Sequence, residues 1–495
     1  MATPDARRSD AEAPDPNRWR ALSVTLVAGF MSLLDVSIVS VALPSLQRSL
    51  GAEPAAVQWV VSGYALTFGL ALVPAGRLGD ALGRRRMFLG ALSAFVLFSG
   101  LAGMAPGIGL LVAARLAQGL AAGALAPQNS GLIQQLFDGD ERGRAFGLFG
   151  ATVGISTAVG PVVGGVILAL AGGPDGWRWI FLVNVPIGVV ALVLAARLLP
   201  RAAPGRTGQI DVVGGLLLGG AVLAVLLPLA DADSGGVGRM WWLFPVAAGL
   251  ITLFLWWERR VMRRRGAPLL DLRLFSGTRG YAPGAALGTV YFLGFSGIWL
   301  VFALFLQNGL GYTPLQSGLS VTAFALGSAV SAAVGGRLVE RFGRRLTVIG
   351  LVGVLTGLVA TVGVVLLVPA HQLTGALAPA LLVAGIGGGL VISPNITLTL
   401  REVPVRMAGS AGGALQTGQR VGAAVGTAAL PGVYYLVLDV TGQNFRLAAA
   451  VALSGAVLSV TAALVIAVWD LRHERIARRR CSEEEVHGYD HAAHG

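Results

Sequence analysis

Two residues of opposite charge stand where charge is least welcome. Asp35 lies in L-L-D-V-S-I-V-S-V-A-L-P, within an apolar run over 21–46 that is long enough to cross a bilayer at about 1.5 Å of helix per residue. Arg115 lies in L-V-A-A-R-L-A-Q-G, within a second apolar run over 108–130. A charge at mid-bilayer costs roughly 3 kcal/mol even on the lenient insertion scale, so each needs a partner or a wet cavity. An arginine cannot shed its proton inside a protein. Asp35 is the one carboxylate deep in a span of the first half, so pairing it with Arg115 is the economical expectation. The bland alternatives are a structural carboxylate in a helix contact and an arginine that snorkels to the surface. Loss of water disfavours a carboxylate's charge while a guanidinium favours it, and a group held between those effects can load and release a proton.

A second charged pattern occurs twice. Gly76-Arg77-Leu78-Gly79-Asp80-Ala81-Leu82-Gly83-Arg84-Arg85-Arg86 and Gly336-Arg337-Leu338-Val339-Glu340-Arg341-Phe342-Gly343-Arg344-Arg345 both fit G-R-L-x-acid-x-x-G-R-R. Glycines permit a two-to-four-residue turn at a membrane face, and an acid there can meet an arginine or a helix N-terminus across the bundle. One copy would pass for a basic turn with no mechanical role. Two copies at a constant offset argue against that reading and point to a chain built from two similar halves.

A third pattern is glycine-rich. Gly147, Gly150, Gly154, Pro161, Gly164 and Gly165 are expected near one helix face, with Gly160 just before the proline. Such a stripe lets backbones approach, and Pro161 frees a carbonyl and bends the axis. Tyr64, Gln118, Asn129, Trp299, Asn395 and Gln416 are polar or aromatic residues inside spans and are candidates for a substrate cavity. About half of such residues are expected to be satisfied helix-helix contacts, worth about 0.6 kcal/mol on average.

The elements that must position these residues are membrane helices. The 495 residues are 55% hydrophobic and 13% charged, with 71 glycines. Apolar runs give about fourteen spans, at 21–46, 57–76, 87–105, 108–130, 145–170, 179–199, 211–230, 241–257, 281–306, 316–335, 347–369, 375–400, 408–438 and 446–469. The fold expected is an all-α polytopic membrane protein. Its parts are a tail (1–20), a six-helix bundle (21–199), two inserted helices with a linker (200–280), a second six-helix bundle (281–469) and a disordered tail (470–495).

Arg48, Arg178, Arg239 and Arg446 are alone in the loops on one side, Arg115 and Arg420 fall in spans, and every other arginine lies on the opposite side. The positive-inside rule therefore places both termini in the cytoplasm. The formal charge of +12 reads as topology rather than nucleic-acid binding. No lysine is present, which removes a phosphate-binding P-loop. The lone Cys481 allows no internal disulfide or cysteine metal cluster. No signal peptide precedes the first span, which is expected to serve as the insertion signal. No cofactor site, metal site or hydrolytic triad is apparent in the spans.

Taken with the topology, the G-R-L-G-D-A-L-G-R-R-R loop resembles the signature of the major facilitator superfamily. Arg115-Leu116-Ala117-Gln118-Gly119 resembles the family's R-x-x-Q-G element, and Gly160-Pro161-Val162-Val163-Gly164-Gly165 resembles the antiporter motif of its proton-coupled drug exporters. The Asp35 stretch and Trp177-Arg178-Trp179-Ile180-Phe181-Leu182-Val183-Asn184-Val185-Pro186-Ile187-Gly188 resemble elements of the fourteen-span drug:proton antiporters. Ser40 stands where that pattern has asparagine, and Glu340 where the second loop usually has aspartate, a change expected to be mild. The resemblance covers residues 20–470.

It implies a plasma-membrane exporter, functional as a monomer, that moves lipophilic small molecules outward in exchange for protons. Asp35 and Arg115 would couple the proton. Gly76, Asp80, Gly83, Arg84, Arg85, Glu340 and Arg344 would form the gating loops. The alternative is a transporter of one endogenous metabolite with no resistance role. With no second acid well placed in the spans, the interior is expected to suit neutral or monocationic lipophiles.

Overall fold

A computed structural model describes residues 16–201, 211–231, 235–264, 266–312 and 314–493. The side chains of residues 474–493, Cys481 included, and that of Pro161 lie outside this description. Among the described residues there is no strand. The long helices are α1 (Arg18–Leu50), α2 (Pro54–Leu82), α3 (Arg84–Gly103), α4 (Ile108–Leu136), α5 (Gly139–Ala171), α6 (Asn184–Leu198) and α7 (Val212–Ala230). They continue as α8 (Leu243–Arg263), α9 (Tyr281–Leu304), α10 (Pro314–Phe342), α11 (Arg344–Leu367), α12 (Leu373–Leu400), α13 (Ala408–Val440) and α14 (Phe445–Ala493).

Twelve helical stretches among the described residues are long and apolar enough to cross a membrane. Of the expected spans, the fifth and eighth are present as α5 and α8 but are not among those twelve. Helix α8 ends in E-R-R-V-M-R, which leaves roughly its first four turns apolar. Large apolar side chains such as Leu170, Leu216, Leu367 and Val440 stand exposed, while charged and amide side chains are buried. That is the reverse of a water-soluble fold and suits a chain solvated by lipid. The protein is a multi-pass, all-helical membrane protein. Helix α14 continues through Ala493, where the sequence suggests disorder after 469; its Glu, Arg and Ala residues are strong helix formers.

Each G-R-L motif closes on a one-residue link, tighter than the expected turn. Gly83 joins α2 to α3 at φ 98°, and Gly343 joins α10 to α11 at φ 52°. Side chains other than glycine rarely adopt such positive φ, so glycine permits these hairpins.

Helices α1–α6 pack on one another, as do α9–α14. The two groups meet where α2 lies on α13 and where α5 lies on α10 and α12. Helix α7 covers α2 and α13, and α8 packs on α7. At the arginine-rich end, one apolar cluster draws from both groups and from the segment after α8. It includes Val73, Phe137, Phe146, Leu269, Leu270, Leu274, Leu400 and Ala411. The seam is therefore sealed at that end by side chains of both halves.

Candidate proton-coupling site and gating loops

Asp35 lies near the middle of α1 and Arg115 two turns into α4, and neither has any exposed surface. Arg115 Nη1 donates to Asp35 Oδ2 in a buried ion pair. Asp35 Oδ1 accepts from Gln118 Nε2 at 3.3 Å and from Asn184 Nδ2 at 3.1 Å. Arg115 also donates from Nη1 to Gln118 Oε1 at 2.8 Å and from Nε to the Val60 carbonyl at 2.9 Å. Its guanidinium lies over the Tyr64 ring, 4.1 Å from the centroid, with Phe181 at 5.5 Å. Tyr64 in turn donates to the Ser32 carbonyl at 2.9 Å. Helices α1, α2, α4 and α6 are thus tied together through one carboxylate and one guanidinium. Removing either partner of such a pair leaves a buried charge without compensation, typically a loss of about 3–5 kcal/mol.

The glycines of α5 explain how the network is enclosed. A β-carbon on Gly160 would lie 1.9 Å from Ser37 Oγ and 3.2 Å from the Ile38 nitrogen, so only glycine lets α5 reach α1 beside Asp35. Gly147 meets the backbone of Gly336 on α10, and Gly154 lies near Ala329. Gly164 is buried, but Gly165 is exposed with open space around it, so the expected single face does not include it.

The two loops make different contacts. Asp80 accepts from the backbone N–H groups of Gly409 (3.0 Å) and Ser410 (2.9 Å) at the start of α13, and pairs with Arg84 at 3.2 Å. Arg84 further donates to the carbonyls of Gly131 and Val405, and Arg85 to that of Ala196. Gly76 lies against Gly409. In the second loop Glu340, one methylene longer, pairs with Arg401 at 3.2 Å rather than capping a helix. Arg344 holds Asp470 (2.6 Å) and Asn395 Oδ1 (2.6 Å). The expected mild Asp-to-Glu change therefore accompanies a different set of contacts.

The six cavity candidates do not converge. Tyr64 and Gln118 belong to the Asp35 network. Asn395 bridges Arg344 and the Gly284 carbonyl (2.9 Å) inside the second group. Trp299 packs with Phe295, Phe302 and Phe324, and its ring N–H is buried without a hydrogen-bond partner. Asn129 is buried against Gly29. Gln416 alone spans the seam, donating to Ser130 Oγ at 3.3 Å. Sequence alone assigns Asn184 no role; the signal it offers is an amide within the apolar stretch I-F-L-V-N-V-P-I-G. Asn184 also donates to Ser99 Oγ at 3.1 Å, which joins α3 to the network.

Comparison with known proteins agrees with this architecture. The probable actinorhodin transporter of Streptomyces coelicolor is 37% identical over 440 residues, covering 86% of this chain and 75% of that protein. The puromycin resistance protein pur8 of Streptomyces alboniger is 36% identical over 435 residues, covering 85% and 82%. The cephamycin export protein CmcT of Amycolatopsis lactamdurans is 36% identical over 436 residues, covering 86% and 85%. Among solved structures, the human organic anion transporter MFSD10 superposes with a TM-score of 0.65 at 16% identity, covering 91% of this chain and 100% of that one. The Major Facilitator Superfamily model matches residues 25–427 and again 284–485, and the chain belongs to that superfamily of membrane transporters.

Proposed function

We propose that the protein exports lipophilic small molecules across the plasma membrane in exchange for protons, by alternating access. The observation that carries the reading is the buried Asp35–Arg115 pair, whose charges would be wasted in a scaffold that never changes protonation. Relatives named for resistance to puromycin and for export of cephamycin support the outward direction. With the site open outward, Asp35 takes up a proton and its hold on Arg115, Gln118 and Asn184 loosens. Return of the proton to the cytoplasm restores the pair. The driving force is about 2.3 kcal/mol per charge per 100 mV, plus about 1.4 kcal/mol per pH unit.

The same proposal takes α5 and α8 as spans, which makes fourteen. It places both termini and the arginine-rich end in the cytoplasm on the positive-inside rule. It divides the chain into two six-helix halves with α7 and α8 inserted, and takes the monomer as the working unit. Asp80, capping α13, and the meeting of α5 with α10 then close the cytoplasmic side.

The test uses everted membrane vesicles energised to acidify their lumen, with puromycin, a cephamycin and actinorhodin added in turn. An exporter of this kind accumulates at least one of them and discharges the proton gradient as it does so. Downhill movement of a compound with no change in the gradient would leave a facilitator and overturn antiport.

A further inference from the structure

We propose that Arg420 is the anion-recognising group of a substrate site in the seam between the two halves, and that the exported molecules carry a carboxylate or phenolate on a lipophilic body. The inference rests on the export reading and adds the charge of the cargo. The guanidinium of Arg420, on α13, lies over the ring of Phe68, 4.3 Å from its centroid. Phe68 is the central residue of α2, which places the charge near mid-bilayer. Measured along α13, Arg420 lies about 6 Å from the midpoint of the helix. Gln416, one turn away, reaches Ser130 on α4, so this face of α13 looks onto the seam where two-halved transporters hold substrate.

What distinguishes Arg420 from Arg115 is its company. Among the described residues, no carboxylate pairs with Arg420 and no hydrogen bond engages it. Helices α7, α9 and α12, which pack on α13, bring no charged residue. Helix α2 brings Arg77 and Asp80, the latter occupied by Arg84, Gly409 and Ser410 at the helix end. Helix α4 brings Arg115, already paired with Asp35; over 445–470, α14 brings Arg446 and Asp470, the latter held by Arg344, and its remaining charges all lie beyond Asp470. The side chain is partly exposed rather than sealed.

An arginine keeps its charge in any protein environment, and an aromatic face compensates it only in part. Asp35 and Arg115 cancel, so Arg420 leaves the interior with a net positive charge. A fork of guanidinium N–H groups facing a seam is suited to a carboxylate or phenolate oxygen, and repels a cation. Counting only acids, as the sequence invites, favours neutral or cationic cargo; the unpaired arginine reverses that preference. The Phe68 ring under Arg420 is 6.2 Å from the ring of Tyr64, on which Arg115 rests, so cargo and proton site are neighbours.

Three probes with one aromatic body test the charge preference: 1-pyrenebutyrate, its primary amide and 1-pyrenebutylamine. Binding to purified protein in neutral-lipid nanodiscs is read by fluorescence anisotropy, with no gradient, so it succeeds or fails independently of proton-driven export. The expected order is butyrate tightest and amine weakest. R420Q is expected to lower the butyrate-to-amide affinity ratio roughly ten- to hundredfold, the scale of a lost charged hydrogen bond, and R420K to restore much of it. If the wild type binds amine or amide as tightly as butyrate, or binds none of the three, the proposal is overturned. An R420Q ratio equal to wild type overturns it too. Should R420Q not fold, the wild-type order and the R420K ratio decide.

Discussion

Gly76 of α2 and Gly409 of α13 pack backbone against backbone. A β-carbon on Gly76 would lie 2.3 Å from the Gly409 carbonyl oxygen, and one on Gly409 would lie 2.6 Å from that of Gly76. Neither backbone can yield without moving a helix. G409A is therefore expected to part α2 from α13 at the arginine-rich end. In a Cys481→Ser background, a cysteine placed at Val73, buried in the apolar seal, should react with N-ethylmaleimide several-fold faster when G409A is added. An unchanged rate would show that this contact does not hold the seal.

Beside that contact, Asp80 makes a polar one between the same two helices. Its two bonds to α13 backbone N–H groups are charge-assisted and worth about 1.5–3 kcal/mol each, and an anion at a helix N-terminus is further favoured. D80A should lower transport at least tenfold, by roughly that energy scale, while leaving equilibrium substrate binding within about twofold. Binding lost in proportion to transport would mean a folding defect instead of a gating one.

Much of this was legible because charge in an apolar run is conspicuous. Asp35 and Arg115 stand out by cost alone, and the repeated loop stands out by its offset. What could not be read was proximity between helices far apart in sequence. Asn184 reaches Asp35 because α6 folds back beside α1, and no periodicity encodes that. Arg420 registers in the sequence only as a blemish in a span; its lack of an acid is a property of the surrounding helices. Gly164 and Gly165, adjacent in sequence, are about 100° apart on a helix and cannot share one face. The two loops look equivalent as strings, yet Asp80 caps α13 while Glu340 reaches Arg401.

Glu258, one residue past the apolar run over 241–257, gives a pH dependence to the segment after α8. It has no exposed surface, and its Oε1 accepts from the N–H groups of Leu269 (3.2 Å) and Leu270 (3.4 Å), whose side chains enter the seal. Burial, and then the nearby charge of Asp211, raise its carboxyl from 4.5 to about 7. A raised carboxyl favours the docked segment fully below 4.5, and that contribution is lost as pH climbs from 4.5 through about 7. After correction for intrinsic exchange, amide protection at Leu269 and Leu270 should fall several-fold between about pH 5 and about pH 8, and E258Q should flatten the profile. A fall of equal size in E258Q would assign the effect to another group.

The ion pair at the centre separates two substitutions that look alike on paper. D35N keeps the size of the side chain and an oxygen that can still accept from Arg115, and Gln118 and the Val60 carbonyl continue to hold the guanidinium. The variant should therefore insert and fold, bind substrate, and yet release no protons on substrate addition and sustain no uphill export. R115A leaves the carboxylate sealed among α1, α4 and α6 with only amide partners, and should cost about 3–5 kcal/mol of stability as well as activity. The comparison runs in proteoliposomes, reading substrate-induced proton release beside uphill transport, with melting temperature measured on the same preparations. Loss of coupling in D35N at near-native melting temperature, against loss of both in R115A, is the pattern expected of a proton-carrying carboxylate. Coupled transport at wild-type rates in D35N would move the proton site elsewhere and leave the pair a structural tie.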